Sequence, residues 1–171
     1  LERYRSLDLK KYELHMAVND STDILDARML LHLNFRRSAN TFTLDLASLD
    51  SLTGLGMVVD SIYQNTVPVD FTHENDKIII TPKHVFPGIT YTYTIDYQGV
   101  PKDGMVISKN LFGDRTFFGD NWPNRAHLWF PCVDHPSDKA IFETHITAPD
   151  HYQVIANGDL IEETNLPDQQ T

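Results

Sequence analysis

Polar and apolar residues alternate along much of the chain, most clearly in the stretch ITYTYTIDY at residues 89–97. There Tyr91, Tyr93 and Ile95 would share one face of a β-strand, while the threonines between them take the other face. The same period of two at residues 12–18 and 29–35 predicts two further half-buried strands.

Shorter alternating or apolar segments predict additional strands at residues 42–46, 56–63, 67–73, 77–81, 140–148 and 152–156. The turn at residues 74–76 predicts a hairpin, and Asn157-Gly158 is a second dipeptide suited to a tight turn. Because no window has a convincing helical period, the predicted fold class is all-β, as an antiparallel β-sandwich or saddle-like sheet domain.

One long segment departs from this pattern. Between residues 102 and 137 the alternation lapses, while glycine, proline and asparagine accumulate. The segment also gathers six aromatic residues: Phe112, Phe117, Phe118, Trp122, Trp129 and Phe130. A loop of this length inside a compact domain is usually functional or covers another surface, so we predict one of these roles for it.

Composition narrows the class of protein. The 171 residues are 41% hydrophobic and 11% aromatic, which suits one domain with a sizeable core. A formal net charge of -10 disfavours a nucleic-acid partner, which would need clustered lysine and arginine. We expect no membrane-spanning segment, because no apolar run approaches the necessary length, and the N-terminus resembles no signal peptide. The sequence does not decide whether the protein is cytoplasmic, periplasmic or secreted.

The chain's only cysteine, Cys132, lies in FPCVDHPSDKAIF at residues 130–142 and excludes an intrachain disulfide. It could be a nucleophile beside His127 or His135, or, at Cys132-x-x-His135, part of a metal site. No further ligand pair follows at a fixed interval, and free cysteines are usually buried, so we favour a structural Cys132. None of the common catalytic motifs, including H-E-x-x-H, occurs in the chain.

The prolines of this stretch favour a rigid corner. Pro131 and Pro136 fix their own backbone angles, and Asp134 can accept backbone N–H groups in a turn closed by Ser137 and Asp138. Lys139 would offset the local negative charge.

These residues also carry a family resemblance. The run at residues 120–149 is similar to a signature of zinc aminopeptidases of the aminopeptidase N and leukotriene hydrolase family, which are gluzincin metallopeptidases. That signature lies near the end of the family's N-terminal domain and reads A-R-x-x-F-P-C-x-D-x-P-x-x-K-A. The matching positions are Ala126, Phe130, Pro131, Cys132, Asp134, Pro136, Lys139 and Ala140. The segment at residues 6–18 resembles the family's opening strand, and YQVIANGDL at residues 152–160 resembles its V-x-A-N-G-x-L hairpin.

The resemblance implies that residues 1–171 are a single N-terminal β domain of a larger metallopeptidase, which could lack its last strand or two. Its partners would be its own catalytic domain and a peptide substrate. In this family the zinc ligands lie in the catalytic domain, so we expect zinc there and neither cofactor nor metal-binding residues in this chain. We therefore expect no aminopeptidase activity and no stoichiometric zinc in the isolated domain.

The family's N-terminal domain also supplies one glutamine or glutamate that helps to bind the substrate's α-amino group. At the corresponding position this chain has Trp122, whose ring offers a cation–π contact and no oxygen. A shift of one or two residues would present Asn121 or Asp120 instead. Asp120, Asn121 and Trp122 are therefore the candidate substrate-binding residues, and the alternative is that Trp122 packs against the partner domain.

Two other functions stay open. The parent protein could be a scaffold that has lost its zinc ligands, or the chain could be an independent β-sandwich that binds carbohydrate or protein through Trp122 and Trp129. We also expect the surface carrying Phe117, Phe118 and Trp122 to be unusually apolar.

Overall fold

A computed structural model describes residues 6–137 and 139–166, and within these ranges it is built almost entirely of β-strands. The strands are β1 (Leu7–Ala17), β2 (Leu25–Phe35), β3 (Phe42–Asp45), β4 (Gly56–Gln64), β5 (Val67–Pro68), β6 (Asp70–Glu74), β7 (Lys77–Thr81), β8 (Thr90–Val100), β9 (Met105–Lys109), β10 (Arg115–Gly119) and β11 (Ile141–Thr147). A short 3-10 turn spans Ala126–Leu128. No helix in the described part of the chain has the length and hydrophobicity to cross a bilayer.

The largest sheet has six strands in the order β11-β1-β2-β8-β4-β5. Its pairs are antiparallel except for β1 and β11, which run parallel at the edge with His15 opposite His145. A three-stranded sheet has the order β3-β7-β6, and β9 and β10 form a separate hairpin. The all-β prediction is confirmed, with one parallel pair in otherwise antiparallel sheets.

The core lies between the six-stranded and three-stranded sheets. Phe42 on β3 packs edge-on against Phe35 and Tyr93 of the large sheet, with ring centroids 5.5 and 4.9 Å away. Along β8 the alternate residues Tyr91, Tyr93, Ile95 and Tyr97 are all buried in this layer. Burial of one face of each sheet fixes the register, because a slip of one residue would expose that whole face.

The alternation at residues 12–18, 29–35 and 89–97 correctly located three strands, although Ile89 lies outside β8 and is half exposed. The predicted hairpin at residues 74–76 joins β6 to β7. Asn75 and Asp76 there have φ of 51° and 57°, the left-handed values that a two-residue hairpin turn requires at both positions.

The prediction of one long loop at residues 102–137 is wrong for its first half, which forms the β9–β10 hairpin. Met105 is the one buried residue of the two strands, and Ile107 and Phe117 are only partly buried against the core, so the face turned to the core is too small to impose a clear alternation. The second half of the segment is irregular apart from the 3-10 turn.

The strand predicted at residues 152–156 is also absent, and Asn157-Gly158 forms a bend that joins no paired strands. Val154 and Ile155 are exposed in this segment, and no neighbouring strand in the described part of the chain pairs with it. A segment with an apolar sequence pattern forms no β-ladder when no neighbouring strand pairs with its backbone N–H and C=O groups.

We predict that Leu31→Ala lowers the free energy of unfolding by about 2–5 kcal/mol, because Leu31 is fully buried and truncation leaves a cavity. The matched control Leu52→Ala, at a side chain that is 95% exposed, should change it by less than about 0.5 kcal/mol. Urea denaturation measures both, and equal effects of the two substitutions would contradict the assignment of the core.

Candidate functional site

The candidate substrate-binding residues lie in a loop directly after β10, here called the 120–125 loop. Its first amide, on Asp120, donates to the Gly104 carbonyl at 2.7 Å, and the Arg125 amide donates to the Asn121 carbonyl at 3.1 Å. The peptide bond between Trp122 and Pro123 is cis. Backbone bonds at both ends therefore close the loop on itself and on the start of the β9–β10 hairpin.

Arg125 organises the charges of the loop. Its Nη1 lies 3.4 Å from both carboxylate oxygens of Asp103, its Nη2 pairs with Asp120, and its Nε donates to the Trp122 carbonyl at 2.7 Å. The hydrogen bond from the Gly104 amide, and then Arg125, lower the pKa of Asp103. Two carboxylates share one guanidinium, which leaves a local net charge of about -1.

Asn121 and Trp122 point in different directions. Asn121 Oδ1 accepts a hydrogen bond of 2.8 Å from Nε1 of the buried Trp129. The Trp122 side chain, in contrast, is 79% exposed. The arrangement uses Asn121 to hold the loop on the core and presents the Trp122 ring outward.

Gly104 allows the loop to lie this close to the hairpin. Its φ of +81° lies in the left-handed region, and a Cβ at this position would approach the Arg125 carbonyl oxygen to 2.3 Å. Sequence reasoning singled out neither Gly104 nor Asp103, since an Asp-Gly pair before a strand has the same pattern as any turn.

The corner predicted around Cys132 is built on Asp45. Cys132 and Asp45 exchange backbone hydrogen bonds of 2.7 and 3.0 Å, and the Asp45 carboxylate accepts the Asp134 amide at 3.1 Å. That carboxylate also pairs with Lys77, although the Asp45 residue is only 3% exposed. The corner is therefore fastened to β3 and β7, and sequence reasoning had not identified Asp45 or Lys77.

Asp134 extends the corner to the 3-10 turn. Its Oδ2 lies 2.6 Å from Nδ1 of His127 and 3.4 Å from the His127 amide. The His127 carbonyl in turn accepts the Ala47 amide at 2.7 Å. The Asp134 side chain thus fixes the turn that follows the 120–125 loop.

The surroundings of Cys132 do not favour a reactive thiolate. Burial, reinforced by the negative charges of Asp134 and Asp45, raises the pKa of the thiol well above its usual value. The imidazole of His127 faces Asp134, and that of His135 lies 2.8 Å from the Ser137 hydroxyl. A neutral thiol in this position acts as a small apolar side chain in the core.

The other signature residues lie along the same segment. Phe130 and Pro131 are buried, and the Phe130 ring packs edge-on against Tyr12, Trp129 and Phe142. Ala126 and Ala140 are partly buried against the core, whereas Pro136 and Lys139 are exposed. Asp138, expected to help close the turn, lies outside the described residues.

The family model for the peptidase M1 N-terminal domain matches residues 9–171. The chain belongs to this family. A comparison with curated protein sequences finds no match.

Solved structures of M1 enzymes have the same fold. An M1 zinc metallopeptidase from Deinococcus radiodurans is 25% identical with a TM-score of 0.77, over 96% of this chain and 37% of that chain. A mutant of that enzyme bound to a Tyr-Ser-Ala substrate is also 25% identical, with a TM-score of 0.77 over 97% of this chain and 38% of that chain. Native yeast leukotriene A4 hydrolase, at 17% identity, has a TM-score of 0.77 over 98% of this chain and 26% of its own, which shows the fold alone.

This M1 N-terminal domain therefore spans less than two-fifths of the length of the enzymes that it resembles. The M1 domain brings the 120–125 loop and the Cys132 corner together on one continuous segment, which joins the β9–β10 hairpin to β11.

We predict that the buried thiol makes the domain's stability fall as the pH rises above about 9. The unfolded chain releases the Cys132 proton near its ordinary pKa of 9.0, whereas the folded chain retains it, so deprotonation favours the unfolded state. The stability advantage of the wild-type domain over Cys132→Ala should shrink by up to about 1.4 kcal/mol per pH unit in that range. Urea denaturation at pH 8, 9 and 10 measures it, and a pH-independent difference would show an accessible thiol.

Proposed function

We propose that this chain is the N-terminal domain of a zinc-dependent aminopeptidase, in which it lines the substrate cleft and helps to bind the peptide's α-amino group. The observation that carries the proposal is family membership across residues 9–171, together with the likeness to an M1 zinc metallopeptidase that holds a Tyr-Ser-Ala substrate. The zinc and the hydrolytic chemistry would belong to the catalytic domain, because this chain contains no H-E-x-x-H motif.

The charge of the 120–125 loop supports a role in binding an ammonium group. Asp103 and Asp120 remain accessible to solvent although both pair with Arg125, so the group keeps a net negative charge near the surface. The exposed Trp122 ring adds a face suited to a cation or to an apolar side chain. Asn121 is the weaker candidate of the three, because its side-chain oxygen already accepts from Trp129.

An exposed apolar surface supports docking to a catalytic domain. Leu111, Phe112, Phe118 and Trp122 lie on the β9–β10 hairpin and the 120–125 loop, and all four are largely exposed. Phe117, which we expected at this surface, is instead partly buried with its ring 5.7 Å from that of Tyr152. Several exposed apolar side chains along one hairpin and the loop that follows it are typical of an interface that a partner covers.

The segment after β11 supports the same partner. Ile155, Leu160 and Ile161 are exposed, as expected if chain beyond this domain covers or pairs with them. The alternative of an independent module binding through both tryptophans is disfavoured, because Trp129 is buried and its indole nitrogen is bonded to Asn121.

The sequence that follows residue 171 in the full-length protein tests this function directly. We expect a thermolysin-like domain with G-x-M-E-N and H-E-x-x-H, and a purified enzyme that hydrolyses aminoacyl anilides. A thermolysin-like domain with substituted zinc ligands would favour the non-catalytic scaffold, and the absence of such a domain would overturn the proposal.

We predict that Asp120→Asn and Trp122→Ala in the full-length enzyme each raise KM for an aminoacyl anilide about tenfold, because each weakens binding of the ammonium group. Asp26→Asn, at an exposed position on β2, is the matched control and should leave KM unchanged. Steady-state kinetics measure all three, and unchanged KM values for Asp120→Asn and Trp122→Ala would exclude the loop from substrate binding.

We predict no hydrolysis of aminoacyl anilides by the 171-residue chain alone, because it lacks the H-E-x-x-H motif, whose histidines would bind the catalytic zinc and whose glutamate would activate the water. The assay compares the isolated chain with the full-length enzyme. Turnover by the isolated chain that a chelator abolishes would contradict the prediction.

A further inference from the structure

The sequence Glu-x-His occurs on both β1 and β11, as Glu13-Leu14-His15 and as Glu143-Thr144-His145. The two strands pair in parallel with Glu13 opposite Glu143 and His15 opposite His145. Since alternate residues of a strand share a face, all four side chains project from the same face of the sheet. This is the face away from the core, because Leu14 is buried on the other side.

The functional atoms of this group converge. His15 Nε2 lies 2.9 Å from Glu13 Oε1, and His145 Nε2 lies 2.7 Å from Glu143 Oε1 and 4.0 Å from Glu13 Oε1. The imidazole rings of His15 and His145 stack with centroids 4.2 Å apart and planes only 3° from parallel. One ligand atom from each of Glu13, His15 and His145 lies within 4.8 Å of the other two.

A third histidine borders the group from β2. His32 Nε2 is buried without a hydrogen-bond partner in the described part of the chain, and it lies 3.8 Å from Glu13 Oε2. Its other ring nitrogen, Nδ1, lies 3.2 Å from the Thr92 hydroxyl. A hydrogen bond at Nδ1 fixes the orientation of the ring and leaves Nε2 beside the group formed by Glu13, His15 and His145.

Lys11 holds both carboxylates in place. Its ammonium lies 3.1 Å from Glu13 Oε2 and 2.6 Å from Glu143 Oε2. Each of these contacts leaves the other oxygen, Oε1, facing His15 or His145. The Lys11 ammonium therefore positions one carboxylate oxygen of each glutamate beside the stacked imidazoles.

We propose that Glu13, His15 and His145 bind a divalent transition-metal ion, with Zn²⁺ the best fit. Two imidazoles and one carboxylate are a common zinc ligand set, and binding would tilt the stacked rings apart so that the three ligand atoms reach about 2.0–2.2 Å from one ion. Imidazole ligands disfavour Mg²⁺ and Ca²⁺, which prefer oxygen. His32 and Glu143 border these three residues, at 3.8 Å from Glu13 Oε2 and 2.7 Å from His145 Nε2, respectively.

A metal site on this sheet face revises the expectation that the chain carries no metal-binding residues. In the sequence the histidines appear singly, and His15 and His145 lie near opposite ends of the chain. The parallel pairing of β1 with β11 brings the two together. The site is independent of the 120–125 loop, whose residues come from the β10 side of the fold.

The test is isothermal titration calorimetry, in which ZnCl₂ is titrated into the tag-free 171-residue chain. We expect one ion per chain, and His15→Ala/His145→Ala should weaken binding by more than about 100-fold, since loss of an outer-shell partner alone costs about 10- to 100-fold. His84→Ala, at an exposed histidine outside the group, is the matched control and should bind as the wild-type domain does. No saturable binding, or equal binding by the double variant, would overturn the proposal.

A second measurement needs no substitution and so does not depend on the double variant folding. Histidine NMR spectra of the wild-type chain should show Zn²⁺-dependent shifts at His15 and His145, and none at His84 or His151. Cobalt(II) in place of zinc should give visible absorption bands of a tetrahedral or five-coordinate site. Uniform shifts across the histidines would instead indicate non-specific binding and contradict the assignment.

Discussion

The rest of the segment that carries the candidate site depends on one interaction, the pairing of the buried Asp45 carboxylate. This carboxylate pairs with Lys77 on the neighbouring strand and accepts the Asp134 amide, while the Asp45 backbone exchanges two hydrogen bonds with Cys132. A buried charge is costly unless it is paired and hydrogen-bonded, and here both conditions are met. The irregular segment before β11 is thereby joined to the three-stranded sheet.

From this anchor, a chain of contacts leads to the candidate site. Asp134 binds His127 in the 3-10 turn, Trp129 follows that turn in the core, and its indole nitrogen donates to Asn121. The side of the 120–125 loop that faces the core is thus fixed by the buried Trp129, while Trp122 and the carboxylates around Arg125 face solvent. Such rigid support lets exposed side chains contact a ligand without first having to be ordered.

Strands with one buried face could be predicted from the sequence, because burial of Tyr91, Tyr93 and Ile95 imposes alternation. The β9–β10 hairpin could not, since Met105 is the one buried residue of its strands and the others are partly or fully exposed. The signature around Cys132 located the corner and the family, but Asp45 and Asp103 reach their partners only through the fold. The meeting of His15 with His145 likewise depends on a parallel register between distant segments.

Amide hydrogen exchange on Asp45→Ala tests most directly whether this carboxylate holds the segment that carries the candidate site. We expect amides of residues 120–134 to lose protection while those of β2 and β8 keep it, because the central sheet retains its ladder and its core. Asp70→Ala, at an exposed residue of β6, should leave both regions protected. Unchanged protection of residues 120–134 in Asp45→Ala would contradict the central role of this carboxylate.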